Sequence, residues 1–346
     1  MKKRRLRVPA VMAATVAAAA VGGSLLVATG SSAASQPTLV VYSAQGYDHA
    51  MVAAFTKATG IPTKLDDNST GPLLTQIEAS KNNPNWGLLW VDGDTAFAGL
   101  DKQGMLMKGF EPSVGFNKMG SSVIPTDKSY TPTGITLMAV VAYDKKVTKK
   151  PPTSWSQVLG STWANGVGMN DPSQSGPTFP FVAGMMNYLG GQTKGKAWFT
   201  KLRQNGVLIN PTNGPTLQAL TSGQIKLALV QSSAAIGAAL TDKSLAVKFL
   251  NPATLLPSAI GIDAKAPKAE QQEAEKFIQF VLSAKGQKVM QGGDPTGDSL
   301  YYPVVKGVTP LKALPPITSV KTQRLNPYTW GPREASINSW FDADIK

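Results

Sequence analysis

Three short stretches repeat one arrangement of a hydroxyl or amide side chain, a glycine and a proline: Ser69-Thr70-Gly71-Pro72, Gln174-Ser175-Gly176-Pro177-Thr178 and Thr212-Asn213-Gly214-Pro215-Thr216. Proline suits a first helical turn, because its missing N–H would be unpaired there and its fixed φ matches helix entry. The next backbone N–H groups stay free, glycine lets a ligand approach the main chain, and the helix dipole adds partial positive charge. Each stretch is expected to open a helix and to cradle an oxyanion, simple capping being the alternative for any single one. Acidic residues sit beside them: Asp66 and Asp67 before the first, Asp92 and Asp94 after an apolar run, Asp171 and then Ser173 ahead of the second. An isolated aspartate in such a place commonly caps a turn. Carboxylates and cradles together would hold a zwitterion by both ends, and neutral N–H and hydroxyl donors coordinate a phosphoryl group without arginine. The ligand read from these residues is a small organic oxyanion such as a phosphonate or phosphate ester.

Other chemistries fit less well. Gly190-Gly191-Gln192-Thr193-Lys194-Gly195-Lys196-Ala197 nearly matches a phosphate-binding loop, but Ala197 replaces the hydroxyl residue that would bind magnesium, and the stretch reads as a turn between helices. Neither a nucleophile elbow nor a Ser-x-x-Lys element is present, and His49, the lone histidine, has no evident triad partners. The sequence lacks cysteine, so no zinc cluster or disulfide framework is expected, and no cofactor or resident metal either. An enzyme is not expected; the alternative of a phosphoester-directed hydrolase rests only on unassigned carboxylates such as Asp92 and Asp171.

The residues that would position these groups follow a basic, apolar and then small-residue opening. Met1 to Arg7 carries five positive charges, Val8 to Ala28 none, and Thr29-Gly30-Ser31-Ser32-Ala33-Ala34 offers a cleavage region, the pattern of an export signal over residues 1–34. Cleavage near Ala34 is expected, with an uncleaved membrane anchor as the alternative; Arg4-Arg5 leaves twin-arginine and general export both open. Beyond that segment 29 Lys and Arg face 21 Asp and Glu, a surplus of only eight. No dense basic run with interleaved aromatics occurs, so nucleic acid is not an expected partner.

Short apolar strands then alternate with helical patterns, an α/β fold with a mainly parallel sheet. Strands are expected at Thr38–Tyr42, Ile61–Leu65 and Leu88–Val91, with helices at Tyr47–Thr59, Pro72–Ser80 and Thr95–Gln103. A long β-rich segment, Gly134–Tyr143, leads to a second series of units ending near Leu250. Ser258–Ile262 and a helix over Glu270–Ser283 return to the first pattern. This predicts two hinge-connected lobes: residues 35–136 and 256–293 in lobe one, 137–255 in lobe two, and 294–346 as a wrapping tail with a short helix at Glu334–Phe341. The ligand would lie between the lobes.

The segments Leu39-Val40-Val41-Tyr42-Ser43-Ala44-Gln45, Asn68 to Leu74, Leu89-Trp90-Val91-Asp92-Gly93, Thr153 to Val158, Gly168-Met169-Asn170-Asp171-Pro172-Ser173 and Ala228-Leu229-Val230-Gln231, in that order, resemble type 2 periplasmic binding proteins of ABC importers. The resemblance covers about residues 38 to 290 and is strongest to the ferric-ion, phosphonate, sugar-phosphate and polyamine branch. It implies a periplasmic-binding-protein fold, export, a monomer serving a membrane permease, and ligand contacts at Ser43, Gln45, Gln231, Ser232 and Ser233 beside those at Ser69, Thr70, Gly71, Asp92, Asp94, Asp171, Ser173, Ser175, Gly176, Thr178, Asn213 and Gly214. Ferric-ion binders of the branch carry two tyrosines where this chain has Ser232-Ser233, and their histidine falls near Gly46, three residues before His49. Serine hydroxyls are poor ferric ligands. Iron is therefore not the expected cargo; ferric-ion, polyamine and thiamine binding remain the alternatives within the family.

Overall fold

The computed structural model describes residues 37–294 and 298–346; the export signal read over residues 1–34 lies outside them. Lobe one opens with β1 (Leu39–Ser43), α1 (Asp48–Thr59), β2 (Thr63–Asp67), α2 (Thr70–Ala79), β3 (Leu88–Asp92) and α3 (Asp94–Lys102), then a short α4 (Lys118–Ser122) and β4 (Thr131–Met138). Lobe two follows with β5 (Val140–Asp144), β6 (Val167–Asn170), α5 (Thr178–Tyr188), α6 (Gln192–Gln204), β7 (Leu208–Asn210), α7 (Asn213–Thr221), β8 (Leu227–Val230), α8 (Ser232–Thr241) and β9 (Leu245–Lys248). The chain then returns through β10 (Ala253–Ile262), α9 (Lys268–Val281) and α10 (Ala284–Gly292), and ends in β11 (Thr322–Gln323), α11 (Pro327–Trp330) and α12 (Glu334–Asp344).

Two sheets result. The first has the order β11-β10-β3-β1-β2 with β4 on the far side of β10; the second has β7-β6-β8-β5-β9. Within each, the strands at the core are parallel, β1 with β2 and β3, β6 with β7 and β8, whereas β10 runs antiparallel to β3 and β4 but parallel to β11, and β5 runs antiparallel to β8 and β9. Every residue of β3 and of β8 is buried, which explains why their sequences are unbroken apolar runs rather than alternating ones. On the first sheet α9 seals the core with Ala274, Phe277, Ile278 and Val281, the face its spacing predicts.

The chain passes from the first sheet to the second between Met138 and Val140 and returns between Lys248 and Ala253. The β-rich segment Gly134–Tyr143 is thus two strands in different sheets. The return crossing lies ahead of Ser258–Ile262, which pairs along its whole length with β3 inside the first sheet. The tail spans both lobes. Gly331 packs so closely on α3 that a Cβ there would meet the Thr95 carbonyl at 2.3 Å. Tyr328 donates to Asp101, on the same helix, at 2.9 Å. Beyond them α12 buries Ile337 and Phe341 in the core of lobe two, against Phe199. Among the described residues no helix is long and apolar enough to cross a membrane.

Candidate functional site

The strands of both lobes point their carboxyl ends at one cleft of ≈ 420 Å³, where loops and helix starts of an open α/β sheet converge. From lobe one come the β1–α1 loop, the end of β2 with the start of α2, and Asp92 at the end of β3. Lobe two supplies Ser175-Gly176-Pro177 before α5, Thr212-Asn213-Gly214 at α7, and Gln231 after β8.

Asp92 is the floor. It is buried and accepts hydrogen bonds from Gln45 Nε2 at 3.1 Å, Gln231 Nε2 at 2.8 Å and the Tyr301 hydroxyl at 2.7 Å. Gln45 and Asp92 belong to lobe one and Gln231 to lobe two, so this network joins the lobes beneath the ligand space. Burial raises the Asp92 carboxyl above its ordinary range, and these donors partly offset the rise. Gln45 Oε1 is buried and has no donor.

Two further carboxylates border the same space. Asp48, at the first turn of α1, is 1% exposed. One of its oxygens accepts the His49 N–H at 2.6 Å and the other, Oδ2, has no hydrogen-bond partner. Burial, and less so the charge of Asp67, pushes it up to about 6. Asp298 sits against Gly46, where a Cβ would come within 2.5 Å of the Asp298 Cβ; burial, Asp294 and Asp92 push it up to about 7. Asp67 completes a group of four and lies 3.2 Å from His49 Nε2 at the mouth. Asp48, His49 and Asp67 bring three ligand atoms within 4.8 Å of one another, and are the described residues best placed to hold a metal ion, although His49 and Asp67 are both exposed.

The same cleft is lined by helix starts with unpaired N–H groups. The starts of α2 and α7 fall earlier than their Gly-Pro pairs suggest: Ser69 and Thr212 are the extended cap residues and proline is the third helical residue of each. The free donors are therefore the N–H groups of Thr70, Asn213 and Gly214, ahead of the prolines rather than after them, together with Gly176. In lobe two the buried Asn170, at the end of β6, ties these pieces together. Its amide donates to Ser175 Oγ at 3.3 Å and to Asn213 Oδ1 at 2.7 Å, and its carbonyl accepts from Thr216 Oγ1 at 2.6 Å. Ser175 accepts here, so its own proton is free to point at a ligand.

Of the ligand contacts named from the sequence, Gln45, Ser69, Thr70, Asp92, Ser175, Gly176, Asn213, Gly214 and Gln231 line the cleft, as does Asp67, noted there beside the first helix start. The others do not. Ser43 accepts the Gln45 N–H and shapes the loop after β1. Gly71 is pressed against lobe two, where a Cβ would lie 1.9 Å from the Ser173 carbonyl. Asp94 is buried behind the cleft at the start of α3, held up to about 7 by burial despite Arg324. Asp171 accepts from Ser173 N and from the Lys346 ammonium, while Ser173 Oγ donates to Asp342. These bonds fasten the 171–176 loop to α12 and to Lys346 just beyond it. Thr178 is fully buried; Ser232 accepts the Leu137 N–H, and Ser233 is buried beside it at the start of α8. Tyr301 and Asp298, in the aperiodic tail, and Asp48 and Asn170 carry no sequence signal that marks them as site residues.

Residues 50–317 match the model of the bacterial extracellular solute-binding proteins. The chain belongs to that family. A Salmonella paratyphi A protein with the provisional description 2-aminoethylphosphonate-binding periplasmic protein is 24% identical over 243 residues, 68% of each chain. Among solved structures, the fructose-6-phosphate-bound periplasmic binding protein AfuA of Actinobacillus pleuropneumoniae superposes with a TM-score of 0.79 at 18% identity, covering 89% of this chain and 98% of that one. Iron-bound HitA of Pseudomonas aeruginosa gives 0.74 at 22%, covering 89% and 99%. The solute-binding family and its two-lobed periplasmic-binding-protein fold are thus established, and with them an extracytoplasmic place of work.

Proposed function

We propose that the protein captures a small zwitterion bearing an amine and an oxyanion, an aminoalkylphosphonate in class, and hands it to an ABC permease. One observation carries the reading: four aspartates and no lysine or arginine line the cleft, and the same lining holds the helix starts at Thr70 and Asn213-Gly214, whose N–H groups have no backbone acceptor. A simple anion would find these donors but also uncompensated carboxylates in the same space. An ammonium among Asp48, Asp92 and Asp298 restores their charge balance and leaves the oxyanion for Ser69-Thr70, Ser175-Gly176 and Asn213-Gly214. The name carried by the Salmonella relative is consistent with this class. A simple di- or polyamine is the second reading, favoured by the number of carboxylates, but it leaves the free N–H groups without an acceptor.

The test is calorimetric titration with 2-aminoethylphosphonate, ethylphosphonate, ethanolamine and putrescine. Binding of the first at one site per chain, with ethylphosphonate and ethanolamine each at least about tenfold weaker, is expected. Equal binding of ethylphosphonate removes the amine half of the proposal, and tighter putrescine binding replaces it with the polyamine reading.

A further inference from the structure

Behind the start of α2 lies a second space between the lobes, ≈ 830 Å³ against ≈ 420 Å³ for the cleft. The contact of Thr70 and Gly71 with Ser173 and Gly176 stands between the two. Its walls are α2, α3 and α12. The apolar part is aliphatic, with Leu74, Ala96 and Leu100 and no aromatic ring, and no lysine or arginine lines it.

Three carboxylates do. Glu78 is paired with Lys81, and Asp342 accepts from Ser173 and lies 3.9 Å from Lys346. Glu334 differs: among the described residues it has neither a hydrogen bond nor an ion pair, and the surrounding protein pushes its carboxyl up to about 8. One turn further along α12, Asn338 spends its amide N–H on the Pro172 carbonyl at 3.3 Å and keeps a buried carbonyl oxygen with no donor. Residues four apart share a helix face, so two acceptors that lack donors border one cavity. The missing partner is a donor, and once Glu334 is ionised the unpaired carboxylate asks that this donor be positive.

We propose that this cavity is a second binding site, separate from the cleft, for a primary aliphatic ammonium ion held by Glu334 and Asn338 with its hydrocarbon against Leu74 and Leu100. An –NH₃⁺ group has three donors and satisfies both acceptors at once, which a quaternary ammonium does not. A short alkyl chain fits the aliphatic wall and gains the usual stabilisation of apolar burial.

Calorimetric titration of n-hexylamine into the full chain at about pH 9, where Glu334 is ionised and the amine still protonated, with hexan-1-ol and hexanoate as controls, tests this. The amine alone should bind. Glu334→Gln keeps the shape and removes the charge; Ala335→Leu, at an exposed position on the wall, fills the space without touching the core. Each should weaken hexylamine about tenfold or more, with thermal unfolding curves confirming a folded chain, while Asp48→Asn in the cleft leaves it unchanged. Undiminished binding to Glu334→Gln overturns the proposal. So does loss of binding in Asp48→Asn, which would send the amine to the cleft, and so does absence of hexylamine binding at millimolar concentration. None of these outcomes depends on which solute the cleft prefers.

Discussion

Ser175 and Asp48 stand at opposite ends of the proposed ligand, and their substitution separates the two halves of the recognition. Ser175 Oγ already accepts from Asn170, so its proton is available to an oxyanion. Ser175→Ala should cost about 1.5 to 3 kcal/mol of 2-aminoethylphosphonate binding, since hydrogen bonds to charged groups exceed neutral ones, or about ten- to a hundredfold in affinity. Asp48→Asn should weaken that ligand similarly and leave ethylphosphonate alone. Ser161→Ala, outside every helix start of the cleft, is the control; full affinity in both variants would make these groups structural. Protonation adds an independent check. Asp48, Asp94 and Asp298 are held up to about 6, 7 and 7, and Glu334 to about 8. An acid whose folded pKa lies above its unfolded one favours the protonated fold, so its stabilisation is complete below the unfolded pKa and is lost as pH rises through the folded one. Asp127 and Asp242 are shifted down, so their contribution is lost only below about pH 5, outside this interval. The melting temperature of the ligand-free protein should therefore rise between about pH 8 and about pH 5. Affinity for an amine-bearing ligand should fall over the same interval, because protonated carboxyls no longer attract the ammonium. A melting temperature that falls with the affinity would place the titrating acids elsewhere.

At the scale of elements, what was legible in the sequence is what burial writes there. The runs at β1, β3 and β8 are apolar because both faces are covered, and Phe277, Ile278 and Val281 repeat at helical spacing because one face of α9 meets a sheet. The Gly-Pro pairs marked the right places but not the right residues. Proline is tolerated through the first turn, so its position alone does not say which N–H opens the helix; the extended backbone of Ser69 and Thr212 does. Asn170 sits in a segment that the family resemblance flagged, yet its part as the brace between α5 and α7 depends on where β6 ends in space. Asn170→Ala should leave the strand in place but release Ser175 and Asn213 together. Ligand binding should then weaken by at least as much as in Ser175→Ala, with a change in melting temperature of only a few degrees, since it removes three side-chain hydrogen bonds near the cleft. Normal affinity in that variant would show that each start holds its own shape. Tyr301 and Asp298 were beyond reach of pattern reading, because the tail that carries them has no period and meets Asp92 only through the fold.

Across the whole molecule, two glycines let the lobes meet. Gly71 donates its N–H to the Gln174 carbonyl at 3.3 Å, and Gly176 lies under Thr70 with no room for a side chain. Gly71→Ala should hold the lobes apart: a ligand-induced fall in the radius of gyration, expected of the native chain in small-angle scattering, should disappear, while the ligand-free protein unfolds normally. Retained compaction would mean that the lobes close by another route.

A Cβ built on Gly176 would lie 2.6 Å from that of Thr70, on the opposite lobe, in a chain that has no cysteine of its own. Disulfides span about 3.8 Å between Cβ atoms, so Thr70→Cys with Gly176→Cys asks the two rims to separate by about an ångström or a little more. The oxidised double variant becomes a latch that an added reductant opens, with no competing thiol to scramble it. Solute trapped by oxidation should stay through dialysis and leave on reduction, which turns the approach of two backbone segments into a chemical handle on capture and release.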